Sequence, residues 1–105
     1  MNTLTRLETT IAQRLHASPE ESYVAKLHAR GLKKIAQKVG EEATETVIAA
    51  LAGDEQELVD EAADLLFHLM VLLAEKGVAL DTVLAELDRR EGLSGLAEKA
   101  ARSQD

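Results

Sequence analysis

The chain has 105 residues, with one Phe, one Tyr, no Trp, no Cys and a formal net charge of −7. Its length predicts a single domain over 1–105, and the lack of cysteine excludes disulfides, a Cys-based zinc site and a thiol nucleophile. The acidic balance argues against nucleic acid as a partner, and no apolar run is long enough to cross a membrane. Without a recognisable signal peptide, we expect a cytoplasmic protein.

Two helices are predicted at the start of the chain. The first runs from about residue 4 to residue 16, where leucine and isoleucine recur at helical spacing, and a threonine caps it, alone or in a capping box with Glu8. The second runs from about Pro19 to Arg30, because Ser18 can cap it and Pro19 occupies a position that needs no N–H. A glycine at position 31 ends it.

Two longer helices follow. The third is predicted from about Leu32 to Ala52, with Gly40 inside it at a cost of about 1 kcal/mol relative to Ala. The fourth is predicted from a cap at Asp54 to about Lys76. It is apolar on most sides, so most of it should be buried, and one small monomer has few helices to cover it. We therefore expect an all-α bundle of four to five helices whose four-helix core is completed by a homodimer.

The predicted fifth helix is short and ends the patterned part of the sequence. Asp81 is its expected cap, and Arg89 and Arg90 lie at its C-terminal end, where cations are favoured. After Gly92 the pattern breaks, and residues 93–105 are expected to form a loosely ordered tail.

Acidic residues at helical spacing are the chemically informative pattern. Glu42 and Glu45 share a face of the third helix, and Glu61 and Asp64 share a face of the fourth. A short loop makes these helices antiparallel neighbours, so the two pairs should form a cage of carboxylates. Such a cage is unfavourable without a cation between its members, and Mg²⁺ prefers oxygen ligands of this kind. Five basic residues and no acidic ones lie between Ser22 and Gly40, which suits a polyphosphate that arrives with metal.

Simpler interpretations of the same residues remain open at this point. Glutamates at this spacing are common on exposed helices, so an acidic interaction module without catalysis is one alternative. His68 is either a neutral histidine satisfied inside the core or a contact to the substrate. A di-iron bundle is disfavoured because no histidine has a Glu three residues before it, and no G-x-x-x-x-G-K phosphate loop is present.

Three stretches resemble a known family. The pattern Glu-Glu-x-x-Glu at 41–45, followed by Glu-x-x-Asp at 61–64, resembles the motif of the all-α nucleoside-triphosphate pyrophosphohydrolases, the MazG-like superfamily. The stretches 22–27 (SYVAKL), 34–43 (KIAQKVGEEA) and 63–68 (ADLLFH) are similar to the phosphoribosyl-ATP pyrophosphohydrolase family within it. The similarity covers about residues 4 to 90.

The resemblance implies Mg²⁺-assisted hydrolysis of phosphoribosyl-ATP to phosphoribosyl-AMP and pyrophosphate, the second step of histidine biosynthesis, by water attack on the α-phosphorus. More than one Mg²⁺ is expected with substrate bound, because four or five carboxylates exceed the charge of one divalent ion. A related enzyme for another, non-standard nucleoside triphosphate is the nearest alternative. The resemblance implies Glu42, Glu45, Glu61 and Asp64 as the metal ligands. It implies that Lys38 faces the triphosphate, with Lys26 and Lys34 as weaker candidates. Glu41 and Glu45 are the candidate bases for the proton of water, between which the sequence does not choose, and His68 stays a candidate substrate contact.

Overall fold

Five helices and no strand are found in the part of the chain described by the computed structural model, which comprises residues 2–91 together with 99 and 102. The helices, in chain order, are α1 (Thr3–Arg14), α2 (Tyr23–Arg30), α3 (Leu32–Ala52), α4 (Glu55–Glu75) and α5 (Leu80–Arg90). The all-α prediction is confirmed. The expected loose tail at 93–105 falls outside the described residues, apart from the two isolated positions.

The long hairpin of α3 and α4 is the largest packing unit of the fold. The bounds predicted for α3 are confirmed, and those for α4 are correct to one residue at its C-terminal end. Gly53 adopts a left-handed conformation (φ 83°), and the Asp54 side chain then accepts a hydrogen bond from the Glu57 N–H at 3.2 Å. Because Gly enters this conformation without steric cost, the chain reverses within two residues and the helices run antiparallel.

Helix α2 begins later than predicted. Residues 18–22 form a turn in which the Ser18 carbonyl accepts from the N–H groups of Glu21 and Ser22, at 3.0 and 3.1 Å. The side chain of Ser22 then caps the helix by accepting from the Ala25 N–H at 3.2 Å. The expectation of a helix from Pro19 is therefore wrong, because two serines compete as caps and the second one is used.

The predicted caps of α1 and α5 are also wrong. Asn2 caps α1 by accepting from the Thr5 N–H at 2.9 Å, so Glu8 is not part of a capping box. Glu8 instead accepts a hydrogen bond from the Leu80 N–H at 2.8 Å, although the two residues are 72 positions apart in sequence. Glu8 therefore satisfies a backbone donor at the start of α5, which the Asp81 side chain does not cap. This contact attaches α5 to α1.

The core lies where α1 and α2 cover one side of the α3–α4 hairpin. Its fully buried members are Ile11, Ile35 and Val71, one each from α1, α3 and α4. The opposite side of the hairpin is open in the single chain, so the predicted burial of most of α4 depends on the expected second copy. Large apolar side chains are exposed there and along the second half of α3: Val47, Ile48, Leu51, Val59, Leu66 and Leu69.

Candidate active site

Three of the four predicted metal ligands meet between α3 and α4. Carboxylate oxygens of Glu42, Glu45 and Glu61 all lie within 4.8 Å of one another. Glu42 and Glu45 are one helical turn apart on α3, and the antiparallel hairpin brings Glu61 of α4 opposite them. The arrangement offers three oxygen ligands to one cation, which is the donor type that Mg²⁺ prefers.

Asp64, the fourth predicted ligand, is not among the carboxylates whose oxygens lie within 4.8 Å of one another. Its side chain is exposed and lies one turn beyond Glu61 on α4. Its charge nevertheless contributes to raising the pKa values of both Glu42 and Glu61. The structure thus brings all four predicted ligands into one electrostatic neighbourhood, with Asp64 at its edge.

Crowding of negative charge dominates the electrostatics of the cluster. Burial first, and then the charge of Glu45 and a hydrogen bond with it, raise the pKa of Glu42. The same kinds of interaction, again with burial first, raise the pKa of Glu61 to about 7. Both carboxyl groups therefore resist ionisation when no cation is nearby, and a divalent cation would favour the ionised forms.

Glu42 provides the observation that best fits a metal ion. Its side chain is buried, with the whole residue 6% exposed, and its Oε2 atom has no hydrogen-bond partner among the described residues. A buried carboxylate oxygen without a partner is costly unless a cation or water binds it. A hollow of about 100 Å³ lies beside the other two carboxylates, Glu45 and Glu61, which is room for a cation with several waters. The residues present therefore fit Mg²⁺.

Among the described residues, Lys38 is a basic side chain that lies beside these carboxylates. Its Nζ atom lies 3.5 Å from Glu41 Oε1 and 3.6 Å from Glu42 Oε1. Burial alone would lower the pKa of its ammonium group, but Tyr23, Glu41 and Glu42 outweigh that effect and raise it. Lys38 therefore stays charged beside the cluster, where a phosphate oxygen could replace a carboxylate as its partner.

The other predicted substrate lysines are farther from the cluster. Lys26 is exposed on α2, and Lys34 is partly exposed one turn before Lys38. Neither forms an ion pair within 4.0 Å among the described residues, although the charge of Lys34 contributes to lowering the pKa of Glu41. Their roles stay predictions.

Glu41 lies outside the carboxylate cluster. It is exposed, and its Oε2 accepts a hydrogen bond from Gln37 Nε2 at 2.9 Å. That bond, more than the nearby charges of Lys38 and Lys34, lowers the pKa of Glu41. A lowered pKa makes a weaker base, so of the two candidate bases the structure favours Glu45, which is in the cluster.

His68 is buried and has both ring nitrogens engaged within the chain. Nδ1 donates to the Asp64 carbonyl at 2.8 Å, and Nε2 is hydrogen-bonded to the Tyr23 hydroxyl at 2.9 Å. The Tyr23 ring also stacks on Phe67, with centroids 6.0 Å apart. This geometry favours a positioning role for His68 over a direct contact to substrate.

Tyr23 is the residue that the sequence interpretation missed as part of the site. The sequence places it in the motif stretch 22–27 but gives it no role of its own. The Ser22-Tyr23 pair at the start of α2 was a usable signal, because a Ser cap fixes where the helix begins and therefore where the phenol points. The hydroxyl reaches from α2 to α4, and Tyr23 also contributes to raising the pKa of Lys38 on α3.

Comparison with known proteins agrees with this geometry. The family model for phosphoribosyl-ATP pyrophosphohydrolase matches residues 4–91. The chain belongs to this family. It is 72% identical over 102 residues to the phosphoribosyl-ATP pyrophosphatase of Erythrobacter litoralis, which covers 97% of this chain and 98% of the relative. It is also 72% identical over 100 residues to the enzyme of that name from Novosphingobium aromaticivorans (95% and 94% covered), and 57% identical over 102 residues to that from Dinoroseobacter shibae (97% and 100% covered).

Membership of the phosphoribosyl-ATP pyrophosphohydrolase family confirms the resemblance read from the three motif stretches. All of those stretches, and every residue of the carboxylate cluster, fall inside the matched region. The match is to a family of enzymes, which disfavours the alternative of a non-catalytic interaction module. Within the described residues, no helix combines the length and the apolar character needed to cross a membrane.

Proposed function

We propose that this chain hydrolyses phosphoribosyl-ATP to phosphoribosyl-AMP and pyrophosphate, with Mg²⁺ as cofactor. The observation that carries the proposal is the buried, unpartnered Glu42 oxygen in a carboxylate cluster that the family match spans. The reaction is the second step of histidine biosynthesis, so we expect the enzyme to work in the cytoplasm.

Each residue of the cluster has a proposed task. Glu42, Glu45, Glu61 and Asp64 would hold Mg²⁺, with more than one ion when substrate is bound. Bound Mg²⁺ would neutralise the charge that develops on the phosphate oxygens. Lys38 would bind the triphosphate on the side away from the metal ions. The raised pKa values of Glu42 and Glu61 favour their protonated forms when no cation is present, which supports the proposal that the site binds a cation.

The proposed chemical step is in-line attack of water on the α-phosphorus. A new bond forms between the water oxygen and phosphorus, while the bond from the α-phosphorus to the oxygen that bridges it to the β-phosphate breaks. Pyrophosphate leaves with that electron pair. Glu45 takes the proton of the attacking water, and Glu41 is the second candidate for this base.

Pyrophosphate release from phosphoribosyl-ATP tests the proposal, with Mg²⁺ and with EDTA, against ATP and dUTP as control substrates. We expect release from phosphoribosyl-ATP alone, abolished by EDTA. Release from the controls instead would identify an enzyme for other nucleoside triphosphates. No release from any substrate by a folded sample would overturn the proposal. Asp64→Asn should abolish turnover without loss of helical content, and a fully active variant would remove Asp64 from the site.

A homodimer is the second part of the proposal. The exposed apolar face of the α3–α4 hairpin supports it, with Val47 58%, Ile48 60% and Leu51 84% exposed on α3 and Val59 54% exposed on α4. Exposure of several large apolar side chains on one hairpin is unfavourable in water and typical of a subunit interface. A second copy with the same face would complete a four-helix core around a two-fold axis.

A further inference from the structure

Gly40 occupies a position where glycine has no structural advantage within the chain. It lies in the middle of α3, a 21-residue helix in which Gly is the least favourable residue after Pro. It does not use the conformations that only Gly adopts easily, since the positive-φ glycines of the described chain are Gly31, Gly53 and Gly77. A methyl group placed on Gly40 would meet no atom within 4 Å beyond the adjoining turns of its own helix. Close packing within the chain does not explain the residue either.

The space in front of Gly40 is a groove that adjoins the carboxylate cluster. It has a volume of about 440 Å³ and is lined by Gln37, Gly40, Glu41, Thr44 and Glu45. Glu45 belongs both to this groove and to the cluster, so a ligand in the groove would lie next to the metal ligands. The groove is shallow and open to solvent, so a ligand in it would keep one side in water.

The rim of the groove offers mainly hydrogen-bond acceptors. Gln37 uses one amide N–H on Glu41, which leaves its carbonyl oxygen as an acceptor and one N–H as a donor. Thr44 donates its hydroxyl proton to the Gly40 carbonyl at 3.1 Å, which leaves its oxygen lone pairs. Glu41 and Glu45 add carboxylates. Such a rim would repel phosphate and would accept hydrogen bonds from hydroxyl and amino groups.

We propose that this groove binds the nucleoside part of the substrate, with a ribose or adenine against the bare backbone of Gly40. The triphosphate would then run from the groove towards Lys38 and the carboxylate cluster. Gly40 is a specificity-determining residue in this arrangement, because any side chain there would project into the space of the nucleoside. The inference rests on the proposed function. It adds the location of the uncharged nucleoside part of the substrate.

Binding of two small probes separates this groove from the metal site. Adenosine is the probe for the groove, and pyrophosphate with Mg²⁺ is the probe for the cluster, each measured by calorimetry on the full chain. The variants are Gly40→Ala and Gly40→Leu, two side chains of nearly equal helix propensity and different size. Ala12→Leu, at an exposed position on α1, is the matched control for added bulk.

We expect Gly40→Leu to weaken adenosine binding by roughly tenfold or more, and Gly40→Ala to weaken it less. Pyrophosphate binding should be unchanged in both, and Ala12→Leu should bind both probes as the unaltered chain does. The melting temperature of Gly40→Ala should rise by about 5 °C, because Ala is the better helix former. If Gly40→Ala is more stable and yet binds adenosine less well, the loss of binding comes from crowding of the groove and not from damage to the fold.

The binding experiment would overturn the inference if the unaltered chain does not bind adenosine or if Gly40→Leu binds it equally well. A change of oligomeric state in Gly40→Leu would also overturn it, by showing that a second copy fills the groove. Failure of the proposed function gives a different result. In that case adenosine binding depends on position 40, while phosphoribosyl-ATP is not hydrolysed. If phosphoribosyl-ATP is hydrolysed and its KM is the same in Gly40→Leu, the inference about the groove fails alone.

Discussion

Glu42→Gln gives the sharpest test of the carboxylate cluster, because stability and metal binding should change in opposite directions. Glu42 is the buried member of the cluster and lies close to the two other carboxylates. Gln has nearly the same shape without the charge. In the absence of metal the variant should therefore be more stable than the unaltered chain, and it should respond much less to Mg²⁺.

The size of the first effect follows from the distances. At 4.8 Å, the largest separation within the cluster, each ionised pair repels by about 0.9 kcal/mol in water and about 3.5 kcal/mol at an effective dielectric constant of 20. When the measurement is made well above pH 7, so that Glu61 with its pKa of about 7 is ionised, Glu42 has two such partners. Removing the charge of Glu42 also removes its attraction to Lys38, which is 3.6 Å away. Repulsion outweighs attraction at either dielectric constant, so we expect a gain of about 1 kcal/mol, or roughly 5 °C in Tm.

The second effect follows from linkage between binding and folding. Mg²⁺ at about 100 times its Kd stabilises the folded chain by about 2.7 kcal/mol, which is a rise of more than about 10 °C in Tm. Most of this rise should be absent in Glu42→Gln, because a neutral amide is a poorer ligand for a hard cation. Thermal unfolding followed by circular dichroism, with EDTA and with increasing Mg²⁺ at one protein concentration, measures both effects.

Glu41→Gln is the matched control for this experiment. It makes the same chemical change one residue earlier, at an exposed position outside the cluster. We expect its free energy of unfolding to change by less than about 0.5 kcal/mol and its response to Mg²⁺ to be retained. The reasoning fails if Glu42→Gln melts lower than the unaltered chain without metal, or if it keeps the full Mg²⁺ shift.

Three further predictions concern other parts of the molecule. Tyr23→Phe keeps the ring but removes the hydroxyl bonded to His68, so kcat/KM should fall by roughly tenfold. The double variant with His68→Phe should lose little more if the two residues act together, whereas additive losses in kinetic assays would contradict a shared role. Arg89 and Arg90 hold the pKa of Glu86 down to about 2, so this side chain stabilises α5 fully above pH 4.5 and loses its effect as the pH falls through 2. Glu86→Gln should therefore be less stable than the unaltered chain at neutral pH and equal to it below about pH 2 in acid unfolding, and an equal difference at all pH values would refute the ion pairs. Leu51→Glu should convert the proposed dimer into a monomer in sedimentation, and an unchanged molar mass would place the interface elsewhere.

Local signals in the sequence were sufficient to predict the two long helices and most of the carboxylate cluster. Gly53-Asp54 determines where α3 ends and α4 begins, since Gly allows the left-handed turn and Asp caps the next helix. With both helices in place, the spacing of Glu42, Glu45 and Glu61 determines that their side chains meet across the hairpin. These features could be predicted because each depends on residues that are close in sequence or on the geometry of a short antiparallel turn.

Other features depend on contacts between distant residues, which no local pattern encodes. Glu8 has the spacing of a capping-box residue in α1, yet it bonds to Leu80, and this choice exists only once α1 and α5 are adjacent. Tyr23 and His68 are 45 positions apart, and only the packing of α2 on the hairpin joins them. The buried Glu42 oxygen and the open space at Gly40 are likewise results of tertiary packing. Helical periodicity in the sequence thus determined which carboxylates face one another, and the tertiary structure decided which of them is buried, because burial depends on what the neighbouring helices cover.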